Sequence, residues 1–250
     1  MKRLCMLGGL VAVLAVPTVQ AQMQVTLYQD LSNYSYSNGG EFNAVPNAAL
    51  LSVNPTLAGY SPAASDLTAG SPNFQTFCIE TSEEFSPGST YDVAISQDIK
   101  YNNGQFPGGA PITMGTALLY SEFAAGALGG YDYTPGVGRS ATAGELQSAI
   151  WYLQGEVLTL VNNGADGTVF YTAAQTALGA TLNDPSNGAY DVAVLNLTSS
   201  GGAVNNQDQL MVVPGSVMVV PEPGAMSFGL LFLLPLGVNK VRALFRKQAA

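Results

Sequence analysis

The sequence predicts an α+β domain, a β-sheet or sandwich with an inserted helical subdomain, flanked by an N-terminal signal peptide and a C-terminal transmembrane anchor. Three observations lead there. Strand-like runs come first, helix-periodic segments fill the middle, and strand-like runs resume before the end, the ordering of an α+β architecture. The first 21 residues have a basic start, an apolar run from Leu4 to Val16 and the small residues of Val19-Gln20-Ala21, the plan of a secretory signal. The last 30 carry an apolar stretch, 224–238, followed by Lys240, Arg242, Arg246 and Lys247, a charge bias that keeps such a tail cytoplasmic. Between them, 22–220 leaves about 200 residues, enough for one large domain or two small ones.

Met23 to Leu31 reads as an opening strand and Ser32 to Gly40 as a Ser/Asn/Tyr/Gly turn region. Asn43 to Gly70, rich in Ala, Pro and Ser, is expected to be a long loop with short extended pieces. Phe74 to Glu80 and Thr90 to Ile95 are strands separated by the Pro87-Gly88 turn. Ile112 to Leu128 has helical periodicity and stops at Gly129-Gly130; a second helix runs to Glu156 and a third spans Val169 to Leu178 before Gly179. Strands return at Tyr190 to Leu197, Leu210 to Val213 and Val217 to Val220. A variant of this plan treats 181–220 as a small β cap on a unit of about 22–180.

Charge and residue content narrow the chemistry. Of 8 Lys+Arg, two precede the apolar run of the signal and four follow that of the tail, leaving Lys100 and Arg139 in the body, whereas all 17 acidic residues lie between Asp30 and Glu222. An acidic body has no basic surface for phosphate, so nucleic acid is not an expected partner. Histidine is absent, which removes Ser-His-Asp and Cys-His catalysis and the usual zinc sites. No metal and no cofactor is expected. The acidic residues offer no spaced pair to nominate for a carboxylate hydrolase, and the Asn162–Asp166 turn lacks the ligand series of a calcium loop.

After signal removal one cysteine remains, Cys78. A lone thiol in an exported chain has no internal disulfide partner and is either reactive or a small buried hydrophobe. In Thr76-Phe77-Cys78-Ile79-Glu80, strand alternation puts Phe77 and Ile79 on one face and Cys78 with Thr76 and Glu80 on the other, more polar one. Downstream, Leu146, Ile150 and Leu153 make one face of a helix, and Thr142 with Glu145 has the spacing of a capping box to start it. The chain's one tryptophan, Trp151, falls four residues after Gln147, so the two share a flank one turn apart. An ordinary amphipathic core helix with Gln147 at its edge would read the same way.

Together, Phe77-Cys78-Ile79-Glu80 and Leu146-Gln147-Ser148-Ala149-Ile150-Trp151 resemble the thioester domains of bacterial surface adhesins over about residues 24–180. The resemblance implies that the thiol of Cys78 condenses with the side-chain amide of Gln147 to an internal thioester. A nucleophile on a surface, matrix or neighbouring cell (a protein amine or a polysaccharide hydroxyl) would then become covalently attached through Gln147. It further implies that Trp151 and Ile150 form a packed wall. Glu80 and Glu145 are candidate proton handlers. Such a protein is a single-use covalent clamp and not a turnover enzyme. The single lysine of the body, Lys100, leaves neighbouring copies few amines with which to crosslink one another.

Val220-Pro221-Glu222-Pro223, the apolar segment and the basic tail resemble the PEP-CTERM sorting signal that exosortases recognise in Gram-negative bacteria. Pro221, Glu222 and Pro223 are the sorting motif of that resemblance. It implies an inner-membrane intermediate, cleavage by an exosortase-type enzyme, and a final place in the envelope or the extracellular matrix. The competing expectation is a non-covalent envelope or exopolysaccharide-matrix protein, structural or glycan-binding, in which Cys78 is inert.

Overall fold

Among the described residues, seven strands form one curled sheet, and helices inserted between them pack against it. The computed structural model describes residues 21–37, 39–58, 72–100, 109–199 and 201–213; residues 1–20, Val217–Val220, the 221–223 motif and the 224–238 segment lie outside them. The architecture is mixed α+β, with helices inserted between strands of the sheet.

β1 (Gln24–Tyr28) pairs antiparallel with β3 (Gly39–Pro46) and with β5 (Thr90–Ser96). β5 then pairs with β10 (Val192–Ser199), and β10 with β11 (Val204–Val212). On the other side β3 receives β4 (Phe74–Phe77) and the two-residue β2 (Ser35–Tyr36). The sheet curls until its ends meet: just past β4, Cys78 bridges Gln209 of β11, and Ile79 N–H donates to Asp208 O at 3.1 Å. Cys78 therefore sits on the seam of the curled sheet. β10 and β11 belong to this same sheet, between β5 and the seam.

Alternation sorts the side chains into two cores. Val25, Leu27, Ala44, Phe74, Val93, Ile95, Leu195 and Met211 point to the inner side, under α1 (Ala48–Val53), whose Leu50 joins them. Phe77, Ile79, Val192, Val194 and Leu210 face the helices α2 (Met114–Ala124), α3 (Val137–Leu153) and α4 (Thr168–Leu178). Thr113 caps α2 through its hydroxyl, which accepts from Thr116 N–H, and α4 ends at Gly179 in a positive-φ conformation. The short strands β6 (Asp98–Ile99) and β7 (Ala110–Pro111) pair with each other, as do β8 (Val161–Asn162) and β9 (Ala165–Asp166). Asn163-Gly164, both at positive φ, make the tight turn of the second pair.

Two expectations change. The stretch divided between a turn region and a loop contains β3, a central strand; Gly39-Gly40 and Pro46 disguise it, and its buried polar residues Glu41 and Asn43 break the apolar alternation. Helix α3 begins at Val137, five residues before Thr142, so no capping box operates at Thr142 and Glu145. The Thr142 hydroxyl instead bonds back to the carbonyls of Gly138 (3.2 Å) and Arg139 (3.1 Å) and accepts from Asp132 N–H.

The early start of α3 has a cause. Arg139, in its first turn, is 1% exposed and forks onto the buried carboxylate of Glu41 in β3: Nε donates to Oε2 at 2.8 Å and Nη2 to Oε1. Tyr131 O–H donates to the same Oε2 at 2.7 Å, and the guanidinium lies over the Tyr34 ring. A bidentate charge pair with a third donor is the arrangement that makes burial of a carboxylate tolerable. It ties the N-terminal end of α3 to β3.

Candidate functional site

Cys78 is fully buried and Gln147 is 1% exposed. The seam of the sheet holds the first, and the α3–β3 lock holds the second opposite it. The Cys78 thiol donates to Gln147 Oε1 with Sγ and oxygen 3.2 Å apart, and Gln147 Nε2 donates to the Cys78 carbonyl at 2.7 Å. Gly40 N–H, on β3, donates to the same Oε1 at 3.2 Å. The carboxamide thus has both ends held, and its carbon lies one bond from an oxygen in contact with sulfur.

Two glycines make room for this. A Cβ on Gly39 would lie 2.6 Å from Trp151 Cη2 and 3.0 Å from Gln147 Cγ, so the β3 backbone packs directly on the flank that Gln147 and Trp151 share. Gly40 sits at φ +104°, where its Cβ would also meet Tyr36 N at 2.8 Å. The Gly39-Gly40 doublet was visible in the sequence, but only as a turn signal.

Trp151 and Phe42 cover Cys78 in a small apolar cluster of their own, and Phe85 meets Phe42 edge to face at 4.7 Å between centroids. Ile150 is buried among the helices on the opposite flank of α3. The wall over the sulfur is therefore Trp151 with Phe42, while Ile150 backs the helix. Outside that wall lies a cleft of about 470 Å³ lined by Phe42, Phe85, Trp151, Thr81, Glu83 and Val157, among others.

The two carboxylates singled out from sequence are placed differently. Glu80 is fully buried; its Oε2 accepts from Asp208 N–H at 2.9 Å and its carbonyl accepts from Gln207 Nε2 at 2.7 Å, bracing the seam beside Cys78. Glu145 stands on another face of α3 near Asp166; partial burial, and then that like charge, push its carboxyl up. Sequence reasoning overlooked Glu156, whose Oε2 accepts from Thr81 N–H (3.0 Å) and Oγ1 (3.2 Å) at the edge of the cleft region. It also overlooked Asp208, taken only as part of an acidic body. Asp208 accepts from Lys100 N–H (2.7 Å), Asn196 Nδ2 (2.7 Å) and Leu197 N–H (3.1 Å), yet its burial, with Glu83 adding, pushes it up to about 7.

Burial pushes the Cys78 thiol well above its ordinary value, and the charges of Glu80 and Glu156 push the same way. The resting sulfur is thus a thiol hydrogen-bonded to an amide oxygen, not a free thiolate. Among the described residues no group of three or more His, Cys, Asp or Glu is placed to hold a metal ion, and no helix is long and apolar enough to cross a membrane.

The chain matches no family model, no curated protein and no solved structure. Its site is therefore read from geometry and chemistry. A thiol and a carboxamide lie in contact, and a backbone N–H donates to the amide oxygen.

Proposed function

We propose that the body of this protein is an exported, surface-displayed covalent binder whose Cys78 and Gln147 form an internal thioester. What supports the reading is the 3.2 Å contact of Cys78 Sγ with Gln147 Oε1, in a carboxamide whose other end donates to the Cys78 carbonyl. A primary amide is a poor acyl donor, and only fixed proximity makes it competent toward a thiol. Once formed, the thioester waits behind Trp151 and Phe42 for an amine or hydroxyl from a surface, the matrix or a neighbouring cell. The bond made to that nucleophile is an amide or ester through Gln147, and Cys78 is released as a thiol.

Display follows from the two ends of the sequence. Residues 1–21 direct export, 224–238 hold the chain in the inner membrane, and an exosortase-type enzyme acts at Pro221, Glu222 and Pro223 to pass the body to the envelope or matrix. The test of the binding reaction is incubation with methylamine followed by peptide mapping. Methylation of the Gln147 amide together with a newly alkylatable Cys78 supports the proposal; an unmodified Gln147 and an unchanged thiol refute it.

One observation favours the second reading, a non-covalent matrix or glycan-binding protein with an inert cysteine. Cys78 has no exposed surface and packs in an apolar cluster, as small buried hydrophobes do. That reading leaves the paired hydrogen bonds of Gln147 to Cys78 as packing alone, and the methylamine experiment separates the two.

A further inference from the structure

Trp151 is 6% exposed, and its indole N–H, buried in the cluster that contains Cys78, has no hydrogen-bond acceptor of ordinary geometry. An unmet buried donor costs about 1–3 kcal/mol, so such a group calls for a reason. Its position supplies one. Trp151 lies one helical turn beyond Gln147, both side chains are clamped against Gly39, and the ring packs with Cys78 in one buried cluster. The indole is near enough to that sulfur to favour its anionic form, against the burial and the Glu80 and Glu156 charges that oppose it. Gly40 N–H already serves the amide oxygen, and the donors that favour the anionic sulfur are the backbone N–H of Cys78 itself and, from a side chain, the indole of Trp151.

We propose that the indole N–H of Trp151 is a catalytic hydrogen-bond donor to Cys78 Sγ, holding the thiolate in the transition states that make and open the thioester. The inference rests on the thioester reading. In formation the Sγ–Cδ bond is made, the Cδ–Nε2 bond breaks, and the thiol proton leaves on the nitrogen as ammonia. In opening, an amine attacks Cδ, the Sγ–Cδ bond breaks, and the proton shed by the amine ends on sulfur. The indole keeps its proton throughout. The charge it stabilises is on sulfur between loss of the thiol proton and formation of the Sγ–Cδ bond in the first direction, and between cleavage of that bond and reprotonation in the second. A hydrogen bond to a charged group placed in this way is worth about ten- to hundredfold in rate.

The chain has one tryptophan, so the N–H can be deleted alone by incorporating the benzothiophene isostere of tryptophan, with Trp151→Phe as the genetic counterpart. Thioester formation is followed by intact mass, opening by the rate of methylamine addition, and the opened Cys78 by thiolate absorbance against pH. Circular dichroism establishes that each variant is folded. The expected result is slower formation and opening, by about tenfold or more, with a thiolate midpoint shifted upward. In the unmodified protein, indole emission should change over the same pH range as thiolate absorbance. A folded isostere protein that forms and opens its thioester at the unmodified rate, with the same midpoint, overturns the role of the N–H and leaves the thioester standing. Loss of the thioester in the unmodified protein itself overturns both.

Discussion

Gly40 on β3 and Gln147 on α3 are joined by a backbone-to-side-chain hydrogen bond of 3.2 Å, and this bond orients the carboxamide toward Cys78. It depends on a close approach that a larger residue would forbid. Gly39→Ala puts a methyl 2.6 Å from the Trp151 ring and 3.0 Å from Gln147 Cγ. The expected cost is about 1–3 kcal/mol of stability from overpacking, read by urea unfolding, together with loss or marked slowing of ammonia release. Wild-type stability and full release would show that the approach is not needed.

The Glu41–Arg139 pair is the second support. Both residues are buried, and Tyr131 adds a third hydrogen bond. Arg139→Met leaves a buried carboxylate uncompensated and should cost about 3–5 kcal/mol. The double variant Glu41→Met with Arg139→Met should cost less than the single one, since an apolar pair leaves no stranded charge. A double-mutant cycle by chemical denaturation measures this, and additive costs would mean the pair is not coupled.

Asp208 sets a pH dependence. Its folded-state value, about 7, lies above that of an unfolded aspartate. An acid raised in this way favours the native state fully below its unfolded value, and that contribution is lost as pH rises through the folded one. Stability should therefore decline between about pH 4 and pH 7 by up to about 4 kcal/mol from this group. Burial pushes Glu41, Glu83 and Glu156 in the same direction. Thermal unfolding across that range should show the decline, and Asp208→Asn should flatten it. An unchanged slope in the variant would assign the dependence elsewhere.

Cys78→Ala and Gln147→Ala should each abolish ammonia release and methylamine capture while leaving the fold in place. Removal of one buried side chain here costs about 1–3 kcal/mol, measurable as a lower Tm. Capture surviving in either variant would mean that other atoms carry it.

Much of this was legible in the sequence, because it rests on periodicity. The alternation at Phe77, Cys78 and Ile79 does separate into two clusters, and Leu146, Ile150 and Leu153 do form one buried face of α3. Helix α4 starts and stops within a residue of its expected limits. What was not legible depends on tertiary contacts. β3 hides because its buried polar residue, Glu41, is satisfied by Arg139 and Tyr131, 98 and 90 positions away. The start of α3 is set by that same pair and overrides the local capping signal at Thr142. The donor to the Gln147 amide oxygen is a backbone N–H at Gly40 and carries no side-chain signature. Glu156 and Asp208 matter through burial, which an acidic composition does not disclose.

The most direct measurement is the intact mass of the purified body, prepared without added amines. The account predicts a mass about 17 Da below that of the processed sequence, the loss of one ammonia, with no titratable thiol until an amine is supplied. The full sequence mass with a free Cys78 thiol would contradict it.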